Sequence, residues 1–547
     1  MKLFSHICLM ALTAALVLAG CSDPYKDLDI RVDTNVFKYT TVVEVKSSNG
    51  ASLDNATVTL KGADADKIYN TEGRKIFKIS GGLLVLALDP KAEPTEGNPI
   101  RFSVDVSASD YLPVSIPVTI SQGQNSGLVT AVMINTKSLP EGVNIKTSSV
   151  GLGSDGATSA PITLSSPAGG GVTETVSISL PAGTQFKDAA GNVIAAGSLS
   201  VSTLVANTSS NDVLALFPGG SLVLPEVKTG DGNTSAGTLL PAALTEISMN
   251  AGGTAVKNFS QPIDIEMQLD PSYHNPKTNA VVKVGDVLDV YSYSADQGIW
   301  TYENSGNVAL SGGKLVLKTS TTHLTWFTAA SVVSSCANSL HVKFDASWLA
   351  NGATHPVSYK AFSTADQKQL TQGTVTVSNG TETAISNLPS AAVTISYYDI
   401  QGNVLATQSL LNPCDVSALQ TIRLNASPVS NNPKVTMQLY VRCPNNTQAV
   451  TLLPTFYLYY KETGKPATDY KLLGTVTKGY ISTNLLTTTK TYDFKAVWGT
   501  YVKYANGKTV TADNSATVGD GPNELIGTKA GATNLEMLKE VCKENGY

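Results

Sequence analysis

The sequence is short of charge, of histidine and of long apolar runs. Asp, Glu, Lys and Arg make up 15% of 547 residues, against ~25% in an average globular chain, and the formal charge is −5. A surface that tracks phosphates needs clustered Lys and Arg, and no such block occurs, so nucleic acid is not an expected partner. There are 5 histidines. They form no His-Glu-x-x-His helix and no Cys-x-x-Cys accompanies them, which removes the usual frameworks for metalloprotease chemistry and structural zinc. No Gly-x-Ser-x-Gly elbow is present, and carboxylates paired for glycoside hydrolysis are not assignable. With aromatics at 7%, the chain also lacks the ring density of most glycosidase clefts. The expectation is a non-enzymatic protein with no cofactor and no metal.

One apolar run stands out, Ile7–Leu18, preceded by Lys2 and followed by small residues. It is too short for a ~30 Å hydrocarbon core, which takes about 20 helical residues, and so reads as a secretory leader. The junction Leu18-Ala19-Gly20-Cys21 resembles the lipobox of bacterial lipoproteins. That resemblance implies removal of residues 1–20, diacylglycerol on the Cys21 sulfur and a lipidated tether over 21–37. Membrane attachment through the acyl chains follows, each buried CH₂ contributing roughly 0.8 kcal/mol. Ser22 stands where an inner-membrane retention signal carries Asp, which by the same resemblance implies the outer membrane. Asp23, Lys26, Asp27 and Asp29 resemble the surface-export signal of Bacteroidota lipoproteins. A merely solvated tether is the alternative, so cell surface and periplasmic leaflet both stay open.

At roughly 150 residues per domain the length calls for several domains. Strict alternation of apolar and polar residues recurs, most cleanly in Ile263-Asp-Ile265-Glu-Met267-Gln-Leu269, and also in Phe102–Val106, Ile116–Ile120, Val176–Leu180, Val393–Tyr397 and Val435–Val441. Successive strand side chains point to opposite faces, so this pattern predicts half-buried strands. Turn clusters punctuate them: Ser48-Asn49-Gly50, Ala190-Gly191-Asn192, Ser311-Gly312-Gly313 and Gln401-Gly402-Asn403. The predicted fold is all-β, antiparallel β-sandwich domains in series. One short C-terminal helix is expected, with a capping box at Thr533–Glu536 and a stop at Gly546.

Composition places the domains at 38–136, 145–332, 335–425 and 433–547. Gly151–Gly171, rich in Gly, Ser and Ala, reads either as a loop-rich first strand pair or as partial disorder. No internal repeat of 20–50 residues is evident. Outside the leader and Cys21, four cysteines remain: Cys336, Cys414, Cys443 and Cys542. An oxidising compartment favours disulfides. The polar stretch Ala426–Pro433 between the pairs favours Cys336–Cys414 and Cys443–Cys542 among the three connectivities.

Residues 41–135 resemble the carboxypeptidase-regulatory, transthyretin-like sandwich in Val42-Val-Glu-Val45, the turn into Ala56-Thr-Val-Thr-Leu60, and Ala108-Ser-Asp-Tyr-Leu-Pro113. The family's Thr-Asp-x-Gly-Gly turn is at best a remnant at Asn70-Thr-Glu-Gly73. The resemblance implies a scaffold module without peptidase activity. Residues 172–330 are similar to the ZU5-like sandwich through Leu180-Pro-Ala-Gly183, Asp296-Gln-Gly298-Ile-Trp300 and Thr321-Thr-His323-Leu-Thr-Trp326.

Few residues carry candidate chemistry. His323 has no assignable nucleophile, so it is expected to be held by a backbone carbonyl near Trp300 and Trp326. His274 lies in a proline-bounded turn, and His341 and His355 are isolated. Asp64-Ala-Asp66 and Asp231-Gly-Asn233 offer alternate oxygens but lack the bidentate Glu of a calcium loop, which favours Asx turns. Rings cluster at Phe456-Tyr-Leu-Tyr-Tyr460 and around Trp498. Alternation puts Tyr457 and Tyr459 on the face opposite Phe456, Leu458 and Tyr460. Exposed, Tyr457, Tyr459 and Trp498 would form a ligand-binding platform; packed, they are cross-strand aromatics. The expected function is adhesion or assembly through the distal β domains, with a protein partner. The alternative is a carbohydrate-binding lipoprotein of a glycan-uptake system.

Overall fold

The computed structural model describes residues 30–518, apart from 34–36, 72, 96–97, 124–125, 215, 219–220, 295–297, 429–431, 444–449 and 499–500. The leader, Cys21, Cys542 and the expected C-terminal helix lie outside the described residues, and so does the Cys443–Cys542 pairing.

The chain is all-β, a series of antiparallel sandwiches. Among the described residues the one α-helix is the single turn Asn211–Leu214. Alternation does what strand geometry requires. In the strand Asn258–Gln268, Ile263, Ile265 and Met267 are fully buried. Asp264 and Glu266 point outward and meet cross-strand partners, Ser320 Oγ at 2.6 Å and Lys318 Nζ at 3.0 Å. The turns use Asx chemistry. Asp188 and Asp399 each accept from the backbone and side-chain nitrogens of the Asn four residues on, Asn192 and Asn403. The glycine between, Gly191 or Gly402, sits at φ 84° or 88°, where a Cβ would be strained. The Gly-rich stretch Gly151–Gly171 is mostly loop and holds one strand, Ile162–Ser166, whose antiparallel partner Val176–Leu180 lies beyond it.

The sheets group into units along the chain. In the first, Thr40–Ser47 opens the unit and Ser126–Met133 closes it, pairing in parallel over their full length. The third closes the same way, Leu340–Asp345 with Gln420–Arg423, and so does the fourth, Val435–Cys443 with Asp513–Val518. Parallel pairing therefore enters a fold expected to be antiparallel throughout, always between a unit's first and last strands in these three cases. The third and fourth units share more. Their second sheets run in the same order, Gln369–Val377, His355–Ser363, Val393–Tyr398, Val404–Leu410 and Lys471–Val476, Phe456–Glu462, Thr491–Trp498, Tyr501–Thr509. The repeat spans a whole unit and is invisible as short-period sequence similarity.

The second unit, Val143–Ser334, packs an eight-stranded sheet on a six-stranded one and shares a continuous buried cluster with the third. Lys368, on the hairpin between the third unit's second and third strands, enters the second unit. Its Nζ donates to the Pro241 carbonyl at 2.9 Å and lies 3.4 Å from Asp270 Oδ2, both side chains almost wholly buried. Burial pushes the Lys368 ammonium below its ordinary range, against the pull of Asp270. Cys336 and Cys414 form a disulfide across a 78-residue separation. On the chain-entropy model such a closure restricts the unfolded state by about 4–5 kcal/mol.

The series folds back on itself. Val42, Leu83 and Val85 of the first unit and Tyr457, Tyr459 and Val497 of the fourth make one buried cluster. The Tyr457 hydroxyl donates to the Gly127 carbonyl at 3.3 Å, and Lys495 Nζ to the Gly81 carbonyl at 2.9 Å. The strand Ile30–Asp33 pairs in parallel with Val450–Leu453 of the fourth unit. The last unit is thus joined both to the segment Ile30–Asp33 and to the first unit.

Candidate functional site

The first unit's small sheet, Thr57–Lys61, Ile100–Ser107 and Val114–Ile120, turns Val58, Leu60, Val104, Val106, Ile116 and Val118 into its own core. Period two then commits Thr57, Thr59 and Lys61 to the opposite face. In register across that face stand Thr59, Asp105 and Ser115. Facing it, across a cleft of about 1130 Å³, is the second unit, which contributes Glu246, Met249, Asn258, His323 and Trp326. The units touch at the cleft's base. Tyr293 donates its hydroxyl to the Ser115 carbonyl at 3.2 Å. Gly298, at φ 70°, lies so close to Ser103 that an added Cβ would approach its side chain to 2.9 Å.

The cleft's charged side chains are Lys61 and Lys257, Asp105 and Glu246, with His323 beside them. Lys61 Nζ pairs with Asp105 Oδ2 at 2.8 Å. Asp105 Oδ1 is buried without a hydrogen-bond partner, while the Ser115 side chain interacts with the Tyr293 hydroxyl. Glu246 lies directly opposite Trp326 on neighbouring strands. Desolvation pushes its carboxyl up to about 7, against a hydrogen bond from Ser248 and the charge of Lys257. Near neutral pH its protonated form, which both donates and accepts, is therefore populated beside the ionised form, which only accepts.

His323 is held differently from expectation. Its Nδ1 is 3.1 Å from Thr321 Oγ1 and its Nε2 is 3.5 Å from Glu303 Oε1, so side chains replace the expected backbone carbonyl. Its ring packs on Phe327, while Trp300 is fully buried and stacked on Phe217 at 4.8 Å. No serine or cysteine is held against the imidazole as a nucleophile in these contacts.

The other candidates are dispersed. Tyr457 and Tyr459 are buried, which removes them as an exposed platform. They do occupy the face opposite Leu458 and Tyr460, as alternation requires, but the first unit covers that face. The side chain of Trp498 lies outside the described residues. His274 sits in the short strand His274–Asn275, and His341 is exposed in Leu340–Asp345. His355 is fully buried against Trp348 with Nδ1 3.3 Å from Asn484 Oδ1, where the third and fourth units meet. Asp64 accepts from Lys67 Nζ and the Arg101 backbone, and Asp231 accepts from Thr229 and Asn233.

Sequence reading missed Glu246, Asp105 and Ser115. A signal existed for Glu246, a lone carboxylate in the apolar run Leu239–Met249. Asp105 and Ser115 read as ordinary outward-facing strand positions, and nothing in them shows that a second unit stands opposite.

No family model matches the chain, and no curated protein matches it. Solved structures similar to it include the Bacillus anthracis TIE protein, with 10% identity and a TM-score of 0.11 over 70% of this chain and 59% of that one. The chain thus covers less than two thirds of that protein. A Bacteroides fragilis protein described as membrane-associated and of unknown function matches at 10% identity and TM-score 0.15, over 54% of this chain and 98% of that one. BcpA, the major pilin subunit of Bacillus cereus, matches at 8% identity and TM-score 0.13, over 71% and 99%. None of these alignments is global at such scores, so the activities of these proteins are not carried over.

Proposed function

We propose that the chain is a lipid-anchored cell-envelope protein that works without catalysis, as an adhesion or assembly scaffold. The supporting observation is the closure of the last unit onto the first. The strand Ile30–Asp33, shortly after Cys21, lies in the last unit's sheet, while Tyr457 and Tyr459 bury themselves against the first unit. The anchored end and the last unit then act as one body, and residues 143–423 form the part held between them. In this reading Cys21 carries the lipid, the outer membrane is the location, and the domain limits are 38–136, 145–332, 335–425 and 433–547. The first two domains are a carboxypeptidase-regulatory-like and a ZU5-like sandwich. A glycan platform of Tyr457 and Tyr459 has no support, because both rings are covered.

The test is made in cells. Cys21→Ala is expected to abolish acyl labelling and release the protein from the membrane fraction. Cells carrying that variant, or none of the protein, are expected to lose adhesion or surface assembly. Normal adhesion and normal surface assembly in both strains would overturn the proposal.

A further inference from the structure

We propose that the cleft between the first two units binds small amphiphiles with a single anionic head, an apolar body that ends in a carboxylate. Much of the lining is apolar. Leu112, Val114 and Val132 come from the first unit, and Leu216, Leu324 and Trp326 from the second. All six are half-buried, so each keeps part of its surface uncovered where the two units face each other. Removing such surface from water is favourable in proportion to the apolar area covered, and a ligand with an apolar body covers both walls at once.

Charge decides what the head must be. Lys61 is matched by Asp105 at 2.8 Å, and His323 faces Glu303 at 3.5 Å. Lys257 is exposed and enters no ion pair among the described residues. The Leu324 amide donates to the Lys257 carbonyl at 3.2 Å, so this cation and the apolar wall at Leu324 and Trp326 stand on adjoining segments. Glu246 lies opposite Trp326, and its protonated form, populated near neutral pH, can donate a hydrogen bond. A carboxylate head accepts from the Lys257 ammonium and from the Glu246 carboxyl, and hydrogen bonds to an ionised head are the stronger kind.

One unpaired cation beside an apolar wall selects a singly charged head, since a polyanion would need several. A volume of about 1130 Å³ is ample for a single acyl chain or a fused-ring skeleton, and an apolar lining with few polar groups is the usual composition of small-molecule sites. The site goes beyond the scaffold reading. Binding is read on purified protein and adhesion in cells, so either can fail without the other.

The experiment uses the mature chain carrying Cys21→Ser, secreted without lipid so that no detergent competes. It is titrated with dodecanoate and with cholate, both below their micelle-forming concentrations, and with dodecylamine as the cationic counterpart, followed by calorimetry and tryptophan fluorescence. At least one carboxylate is expected to bind saturably and more tightly than the amine; the one that binds shows whether the body is a chain or a ring system. Lys257→Gln is expected to weaken it about fivefold or more and Trp326→Ala about tenfold, in variants whose far-UV circular dichroism matches wild type. Trp326→Phe keeps an apolar ring and is expected to bind while losing most of the fluorescence change, because Trp326 is the tryptophan that lines the cleft. Three results would overturn the proposal: neither carboxylate binds, dodecylamine binds as tightly and Lys257→Gln changes nothing, or the fluorescence change survives in Trp326→Phe.

Discussion

Glu246 and Trp326 stand directly opposite each other on the antiparallel strands Thr234–Ala251 and Trp326–Ser334, and both line the cleft between the first two units. A carboxyl so placed holds its proton to about pH 7, whereas in the unfolded chain it would lose it near 4.5. Below 4.5 the folded and unfolded groups are both protonated and the stability is fully present. As pH rises through that interval the unfolded chain releases the proton first, and stability falls by roughly 2–3 kcal/mol. Glu246→Gln removes the contribution. Urea unfolding at a series of pH values is expected to show the difference between wild type and variant growing between pH 4.5 and 7; a constant difference would contradict it.

Lys368 and Asp270 lock the third unit into the second. Removing one partner leaves a charge buried and unpaired, so Lys368→Met is expected to cost about 3–5 kcal/mol in denaturant unfolding. Lys368→Met combined with Asp270→Leu removes both charges and is expected to recover most of that loss. A double variant no more stable than the single one would contradict this account.

The Cys336–Cys414 disulfide ties the entry of the third unit to the turn in which Asn412 caps the Cys414 amide. Cys336→Ser with Cys414→Ser is expected to lower stability by about 2–4 kcal/mol. Because the second and third units share one buried cluster, both are expected to melt at a lower temperature, read by hydrogen exchange in strands of each.

The two tyrosines at the closure differ in one atom's fate. The Tyr457 hydroxyl reaches the Gly127 carbonyl, while Tyr459 Oη is buried without a partner. Tyr457→Phe is expected to cost about 1 kcal/mol and Tyr459→Phe about none. Either residue changed to Ala is expected to lose roughly 3–5 kcal/mol through the cavity it leaves. Thermal melts of the four variants check the order.

Much of this architecture was legible in residues 263–269 and in the Asp-x-x-Gly-Asn turns, because a strand with one wet face writes its alternation into the sequence. The return of the last unit was written less openly. Leu83-Leu-Val-Leu-Ala-Leu88 does not alternate: Leu84, Leu86 and Leu88 enter the first unit's core, while Leu83 and Val85 meet the fourth unit. Phe456–Tyr460 breaks alternation for the same reason. Such runs say that both faces are covered but not by what. The cleft was less legible still. Asp105 and Ser115 look like solvated strand positions until the second unit is placed opposite, and that placement depends on contacts far apart in the chain.

The central claim is that the last unit is docked on the first. Lys46 of the first unit and Lys471 of the fourth line one cavity of about 320 Å³. After treatment with a short amine-reactive cross-linker, mass spectrometry of the digested monomer is predicted to find these two lysines joined within one chain. Modification of both lysines with no cross-link between them would contradict the docking.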